Sequence, residues 1–332
     1  MPPPKPAAAY PTTATVWTTG PGVTWPRAPL PGRVRRPAGR ARCHAGRVPQ
    51  IVMVESCLRD GHGGSPTAVV LDGTGLDDVE AVGIPARTGT SHVAVIISGT
   101  GQDPAVRFFT STGELPGCGH GTVAAIAALT LRGAGPTGRL RIAGRAVAVS
   151  GVVGRGPDGD VVVTAWFDQG VVSRRDPTAA ELDAFLDALG LARAALHPDR
   201  VAAVASPGRE RLLLPLAYRA VLAALRPDAR RLTAVSRHFG QLGCLVHVPA
   251  DGSRRAVARM FAPAVGVPED VANANSTGCL AAVQFLDGHG PDVVVDQGDA
   301  LGSPSTVYAH AARTDRGDVA VQVGGAARLD DG

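Results

Sequence analysis

Apolar positions along the chain fall into short runs that alternate between two spacings. Residues 50–55 and 68–71 carry Val and Ile on either side of the turn Asp60-Gly61-His62-Gly63-Gly64, which predicts a β-hairpin. Residues 76–83 predict a short helix. Residues 91–97 and 106–110 predict strands, as do 140–152 and 160–167. Between them, residues 122–131 are almost wholly Ala, Leu, Ile and Val without a charge, so they predict a helix with no solvent face. A second series follows. Residues 178–189 form an amphipathic helix with Asp176 or Thr178 as its cap, 211–215 a strand and 217–225 a helix. Strands are expected at 243–248 and 257–261, then another chargeless helix at 277–286. Strands at 293–294, 306–312 and 319–323 close the series.

The two series echo each other. Arg107-Phe108-Phe109 precedes Pro116, a loop and a chargeless helix. Arg259-Met260-Phe261 precedes Pro268, a loop and a chargeless helix, with the same Arg-to-Pro offset. Copies roughly 150 residues apart indicate a duplicated unit, not a solenoid. A helix without a polar face must be wrapped by a sheet. The expected fold is therefore α+β with two pseudo-symmetric domains, each a barrel-like mixed or antiparallel sheet around a central hydrophobic helix. The expected boundaries are 50–170 for the first half, completed by C-terminal strands near 305–332, and 171–304 for the second. Cys118 and Asp270 sit at equal offsets from Arg107 and Arg259, each ahead of its helix. If both helix starts face one cleft, their free amides and dipoles favour an anion such as a carboxylate.

Composition then removes several function classes. The chain of 332 residues is 45% hydrophobic and 19% charged, which suits a globular protein. Its net charge of +4 is concentrated before residue 50, in Arg27, Arg33, Arg35, Arg36, Arg40, Arg42 and Arg47. Residues 1–49 thus read as a disordered Pro/Ala/Arg-rich leader, and no nucleic-acid partner is expected. They lack a signal-peptide core, and no apolar run reaches membrane length, so a cytoplasmic protein with no membrane partner is expected. Lys5 is the sole lysine. A lysine Schiff base is thereby excluded from the folded part. Cys43, Cys57, Cys118, Cys244 and Cys279 are odd in number and irregularly spaced, and no His or acidic spacing suggests a ligand set. Neither a disulfide framework nor a metal is expected, and no cofactor.

Four ordered blocks resemble the PhzF-like isomerase family, whose wider fold group includes diaminopimelate epimerase and proline racemase. They are Val54-Glu55-Ser56-Cys57 with Gly63-Gly64-Ser65-Pro66, Arg107-Phe108-Phe109 with Cys118-Gly119-His120-Gly121, Arg259-Met260-Phe261 with Gly266-Val267-Pro268-Glu269-Asp270, and Gln297-Gly298 with Val323-Gly324-Gly325. The resemblance covers residue 50 to the end. It implies a homodimeric, cofactor-independent isomerase that moves a proton, and with it a double bond, in a small cyclic unsaturated amino or carboxylic acid. A role in antibiotic-type secondary metabolism is the implied setting.

Carried over residue by residue, the resemblance retains His120 and Asp270 as catalytic positions. The family's acid/base glutamate is absent, and His92 stands where it belongs. A neutral imidazole can take and return a proton near pH 7. His92 is therefore the expected shuttle. Cys118, Gly119, Gly121, Asn275, Ser276 and Ser65 are the expected substrate-binding residues, with the amides of Gly119 and Gly121 cradling a carboxylate. Two other readings stand beside this one: a non-catalytic binder of small acids, and an epimerase or racemase. A two-thiol racemase would need a partner for Cys118 near Asn273. Cys279 lies too far along its helix to serve.

Overall fold

The computed structural model describes residues 49–99, 101–135, 137–249 and 254–330. The expected leader, apart from Pro49, lies outside the described residues. The first series comprises β1 (Ile51–Ser56), β2 (Ser65–Val70), α1 (Asp78–Thr88), β3 (Val93–Ile97), β4 (Ala105–Thr110), β5 (Gly113–Leu115), α2 (Gly119–Leu131), β6 (Thr137–Ile142), β7 (Arg145–Arg155), β8 (Val161–Val171) and β9 (Ser173–Arg175). After α3 (Ala179–Leu189), the second comprises β10 (Ala203–Ser206), β11 (Arg211–Pro215), α4 (Arg219–Ala224), α5 (Ala229–His238), β12 (Cys244–Pro249), β13 (Arg255–Ala262), β14 (Val267–Asp270), α6 (Ala274–Leu286), β15 (Asp292–Gln297), β16 (Ser305–Arg313) and β17 (Val319–Leu329).

Duplication is written in the strand pairing. In the first series β1/β2 is antiparallel, β2/β3 parallel, β3/β4 and β4/β5 antiparallel, β4/β6 parallel, and β6/β7 and β7/β8 antiparallel. β10/β11 through β16/β17 repeat the same succession of senses. β17 also pairs with β8 and with β1, so the first ladder returns to its start. The fold is α+β with a mixed sheet. α2 packs against β1, β2, β3, β7, β8 and β17, and α6 against β10, β15, β16 and β17. Ten successive residues of α2, Gly119 to Ala128, are buried, as their lack of charge requires.

The Arg-x-Phe echo is also structural. Arg107 makes two hydrogen bonds to the Glu114 carboxylate and lies 4.8 Å from the Phe109 ring centre. Arg259 does the same with Glu269 and lies 5.0 Å from Phe261.

Several elements differ from expectation. The run 140–152 is two strands, because Ala143 at φ 47° and Gly144 at φ 76° turn the chain between β6 and β7. The first short helix runs on to Thr88, held by an Asp77/Glu80 capping box and by left-handed Gly89. α5 and the short strands β5, β9, β10 and β14 were not anticipated.

Thr178, not Asp176, caps α3, in a capping box with Glu181. Arg175 binds both Glu181 and Glu210. The Arg175 guanidinium, helped by the Thr178 amide, holds the buried Glu181 carboxyl down at about 2 against an ordinary 4.5. An acid depressed on folding contributes stability that is complete above its unfolded value and fades as pH falls through the folded one. Thermal melting is therefore expected to drop from pH 4.5 toward pH 2, and to drop less steeply in Glu181→Gln. Calorimetry across that range checks this, and equal slopes for the two proteins would refute it.

Candidate active site

The starts of α2 and α6 abut at the floor of a cleft of about 390 Å³, a size suited to a small metabolite. Their closeness depends on Gly119. A Cβ there would stand 2.5 Å from Ala274 Cβ and 3.3 Å from its Cα. Gly119→Ala is expected to force the helix starts apart and lower turnover roughly 10²-fold. Steady-state kinetics beside a thermal melt tests this, and turnover unchanged from the parent would refute it.

Three buried side chains meet at the α2 side. His92 precedes β3, His120 is the second residue of α2, and Cys118 is its N-cap. His92 Nδ1 lies 3.2 Å from His120 Nε2 and 2.7 Å from Ser91 Oγ. His120 Nε2 is also 3.4 Å from Cys118 Sγ. His120 Nδ1 faces the Ala272 carbonyl at 3.3 Å and an Asp270 carboxylate oxygen at 4.0 Å. The carbonyl can only accept, so this nitrogen carries a hydrogen. Neutral His120 then accepts at Nε2, and His92 donates from Nδ1. That tautomer leaves the lone pair on His92 Nε2, which has no hydrogen-bond partner among the described residues.

The electrostatics order this pair. Burial, reinforced by the neighbouring His120, pulls His92 down to about 4, with Asp270 opposing. Burial also works against charge on His120. There Cys118, Asp270 and the Ala272 carbonyl outweigh it and push the imidazole up to about 9. A proton entering the pair settles on His120, so the tautomers just described are those of the neutral pair, which prevails above about pH 9.

Of the sequence-selected residues, His92, Cys118, Gly119, His120, Asp270 and Asn275 line the cleft. Gly121 does not line it, and its amide is committed to Cys118 Sγ at 3.4 Å. The amides of Gly119 and His120 have no hydrogen-bond acceptor among the described residues. Ser276 is buried beneath the floor, with Oγ 3.4 Å from Met260 Sδ. Ser65 pairs with Ser56 inside the β1/β2 ladder and does not reach the cleft.

Asp270 and Cys118 are not equivalent. α6 starts four residues beyond Asp270, and its cap is Asn273, whose Oδ1 accepts from the Ser276 amide. Asp270 instead accepts from Asn273 Nδ2 at 2.8 Å. Arg211, Arg145 and Arg209 also line the cleft and were not singled out from sequence. Arg211 was detectable as a charge opening the apolar run Leu212–Leu214; it is 3% exposed, and its Nε has no partner. Cys279 is buried within α6, away from the cleft, so Cys118 is the single lining thiol among the described residues.

Residues 59–330 match the family model described as phenazine biosynthesis-like protein, PhzC-PhzF. The chain belongs to the PhzF family. An uncharacterized isomerase of Deinococcus radiodurans is 31% identical over 282 residues, covering 80% of this chain and 88% of that protein. The trans-2,3-dihydro-3-hydroxyanthranilate isomerase of Pseudomonas aeruginosa is 30% identical over 281 residues, covering 82% and 94%. The crystal structure of a Bacillus anthracis phenazine biosynthesis protein of the PhzF family superposes with a TM-score of 0.72 at 19% identity, covering 84% and 96%. This PhzF-family chain is an isomerase by that relationship. No helix among its described residues is long and apolar enough to cross a membrane.

Proposed function

We propose that the cleft moves a proton, and with it a double bond, within a small cyclic unsaturated amino or carboxylic acid, in the service of antibiotic-type secondary metabolism. The observation that carries this reading is the chain His92–His120–Asp270 between two abutting helix starts. In the neutral pair, His92 Nε2 takes the proton from an allylic carbon, and the released electron pair moves into the neighbouring double bond. His92 passes its Nδ1 proton to His120 Nε2 across 3.2 Å. The positive charge then sits beside Asp270. Reversal of both transfers delivers a proton to the far carbon of the allylic unit, so the chain ends as it began. The free amides of Gly119 and His120 hold the substrate carboxylate at the positive end of α2. One lining thiol does not supply the two faces that racemisation requires.

Substrates of two classes suit this arrangement: dihydro-hydroxyanthranilate, by analogy with the Pseudomonas relative, and pyrroline acids. Incubation of the protein with a panel of both in D₂O, followed by proton NMR, tests the reading. Deuterium entering a ring carbon together with migration of the double bond is the expected result. Inversion of a stereocentre without migration would replace this reading by epimerisation.

A further inference from the structure

We propose that Cys118 Sγ, His120 Nε2 and His92 Nδ1 form a binding site for one thiophilic divalent cation, zinc foremost, and that its occupation silences the isomerase. The silencing rests on the proton relay proposed above; the site itself does not.

The first argument is geometric. Around tetrahedral zinc, with bonds of about 2.0–2.1 Å to nitrogen and about 2.3 Å to sulfur, neighbouring donors stand about 3.3–3.6 Å apart. Here the His92 Nδ1 to His120 Nε2 distance is 3.2 Å, and Cys118 Sγ to His120 Nε2 is 3.4 Å. All three donor atoms lie within 4.8 Å of one another. Two edges of the tetrahedron are thus formed before any ion arrives. The third, from sulfur to His92, closes by a small side-chain rotation.

The second argument is the setting. A ligating histidine usually donates its other ring N–H to a carbonyl or carboxylate, which fixes the ring. His120 Nδ1 faces both, the Ala272 carbonyl at 3.3 Å and Asp270 at 4.0 Å. All three ligand residues are buried, so few waters compete for the ion. The donor set is two imidazoles and a thiol. That composition selects zinc or cobalt over magnesium or calcium, which require oxygen ligands. Three protein donors leave the fourth corner to the cleft, the pattern of an open site.

The proton balance explains the silencing. Binding releases to solvent the Cys118 thiol proton and any extra proton held by His120. It also needs the lone pair on His92 Nδ1, so the hydrogen there moves to Nε2. His92 then presents an N–H to the substrate where the relay needs a lone pair, and His120 Nε2 is no longer free to accept.

Cobalt(II) is the probe. The full-length protein, stripped with a chelator, reduced and exchanged into metal-free buffer, is titrated with cobalt(II) and its absorption recorded. One equivalent is expected to raise tetrahedral ligand-field bands and a thiolate-to-cobalt charge-transfer band, both displaced by zinc. Cys118→Ser keeps a good N-cap for α2 and is expected to lose the charge-transfer band. Asp270→Asn, one step from the metal, is expected to weaken binding roughly 10- to 100-fold. Absence of saturable binding, or a charge-transfer band that survives in Cys118→Ser, overturns the site. Neither readout involves turnover, so failure of the proton-shift reading leaves both intact. Conversely, turnover that persists in zinc-saturated protein overturns the silencing alone.

Discussion

His92→Ala is expected to lower turnover of the true substrate by about 10²–10⁴-fold, the usual contribution of a positioned general base. Folding should survive, because His92 precedes β3 and, among the described residues, its side chain hydrogen-bonds only to Ser91 and His120. The loss should appear in kcat far more than in KM, since the proposed mechanism leaves the carboxylate to the α2 amides. The deuterium-exchange assay reads the step directly. Ring deuteration by the parent and not by the variant assigns the transfer to His92. Equal exchange by both would remove His92 from the mechanism and leave Asp270, 4.0 Å from His120, as the group to test next.

Arg259→Ala should be the most damaging change away from the cleft, whereas its echo Arg107→Ala should be mild. Arg259 is 8% exposed, and beyond Glu269 it donates to the carbonyls of Leu222 and Leu225. Removing it strands a carboxylate and two carbonyls, a loss of about 3–5 kcal/mol for a broken buried pair. At about 2–4 °C per kcal/mol, melting should fall by roughly 6–20 °C. The side chain of Arg107 is 33% exposed, and its partners Asp78 and Glu114 are more exposed still. Pairs of that kind contribute about 1 kcal/mol or less. Scanning calorimetry on both variants decides the point. Equal losses would show that the shared Arg-x-Phe pattern, and not burial, sets the energetics.

The difference between those arginines marks what the sequence could reveal. Chargeless runs identified α2 and α6, since a helix without a polar face has one possible surrounding. The repeated Arg-x-Phe placed the halves in correspondence. Elements lacking such a periodic signal were lost. α5 buries only Leu232 and Ser236 of its ten residues, so its apolar spacing is too sparse to read. The break between β6 and β7 rests on a left-handed Ala143, a conformation alanine rarely announces.

Within the site, the helix starts and both histidines were legible from local blocks. Their contact was not, because His92 and His120 come from separate elements that only packing brings to 3.2 Å. For the same reason no linear spacing pointed to His92, Cys118 and His120 as one donor set. Matching Cys118 with Asp270 failed because a common offset from an arginine does not fix where a helix begins. The second loop is three residues longer before its cap, Asn273.

β17 belongs to both ladders, pairing with β16, β8 and β1. During synthesis the first half therefore leaves the ribosome with β1 and β8 as open edges, and stays so until residues 319–329 have been made. Exposed edges invite pairing with other chains. The nascent protein must wait through the whole second repeat with its first cleft wall unfinished, which makes the last strand the step that ends its exposure to aggregation and to chaperones.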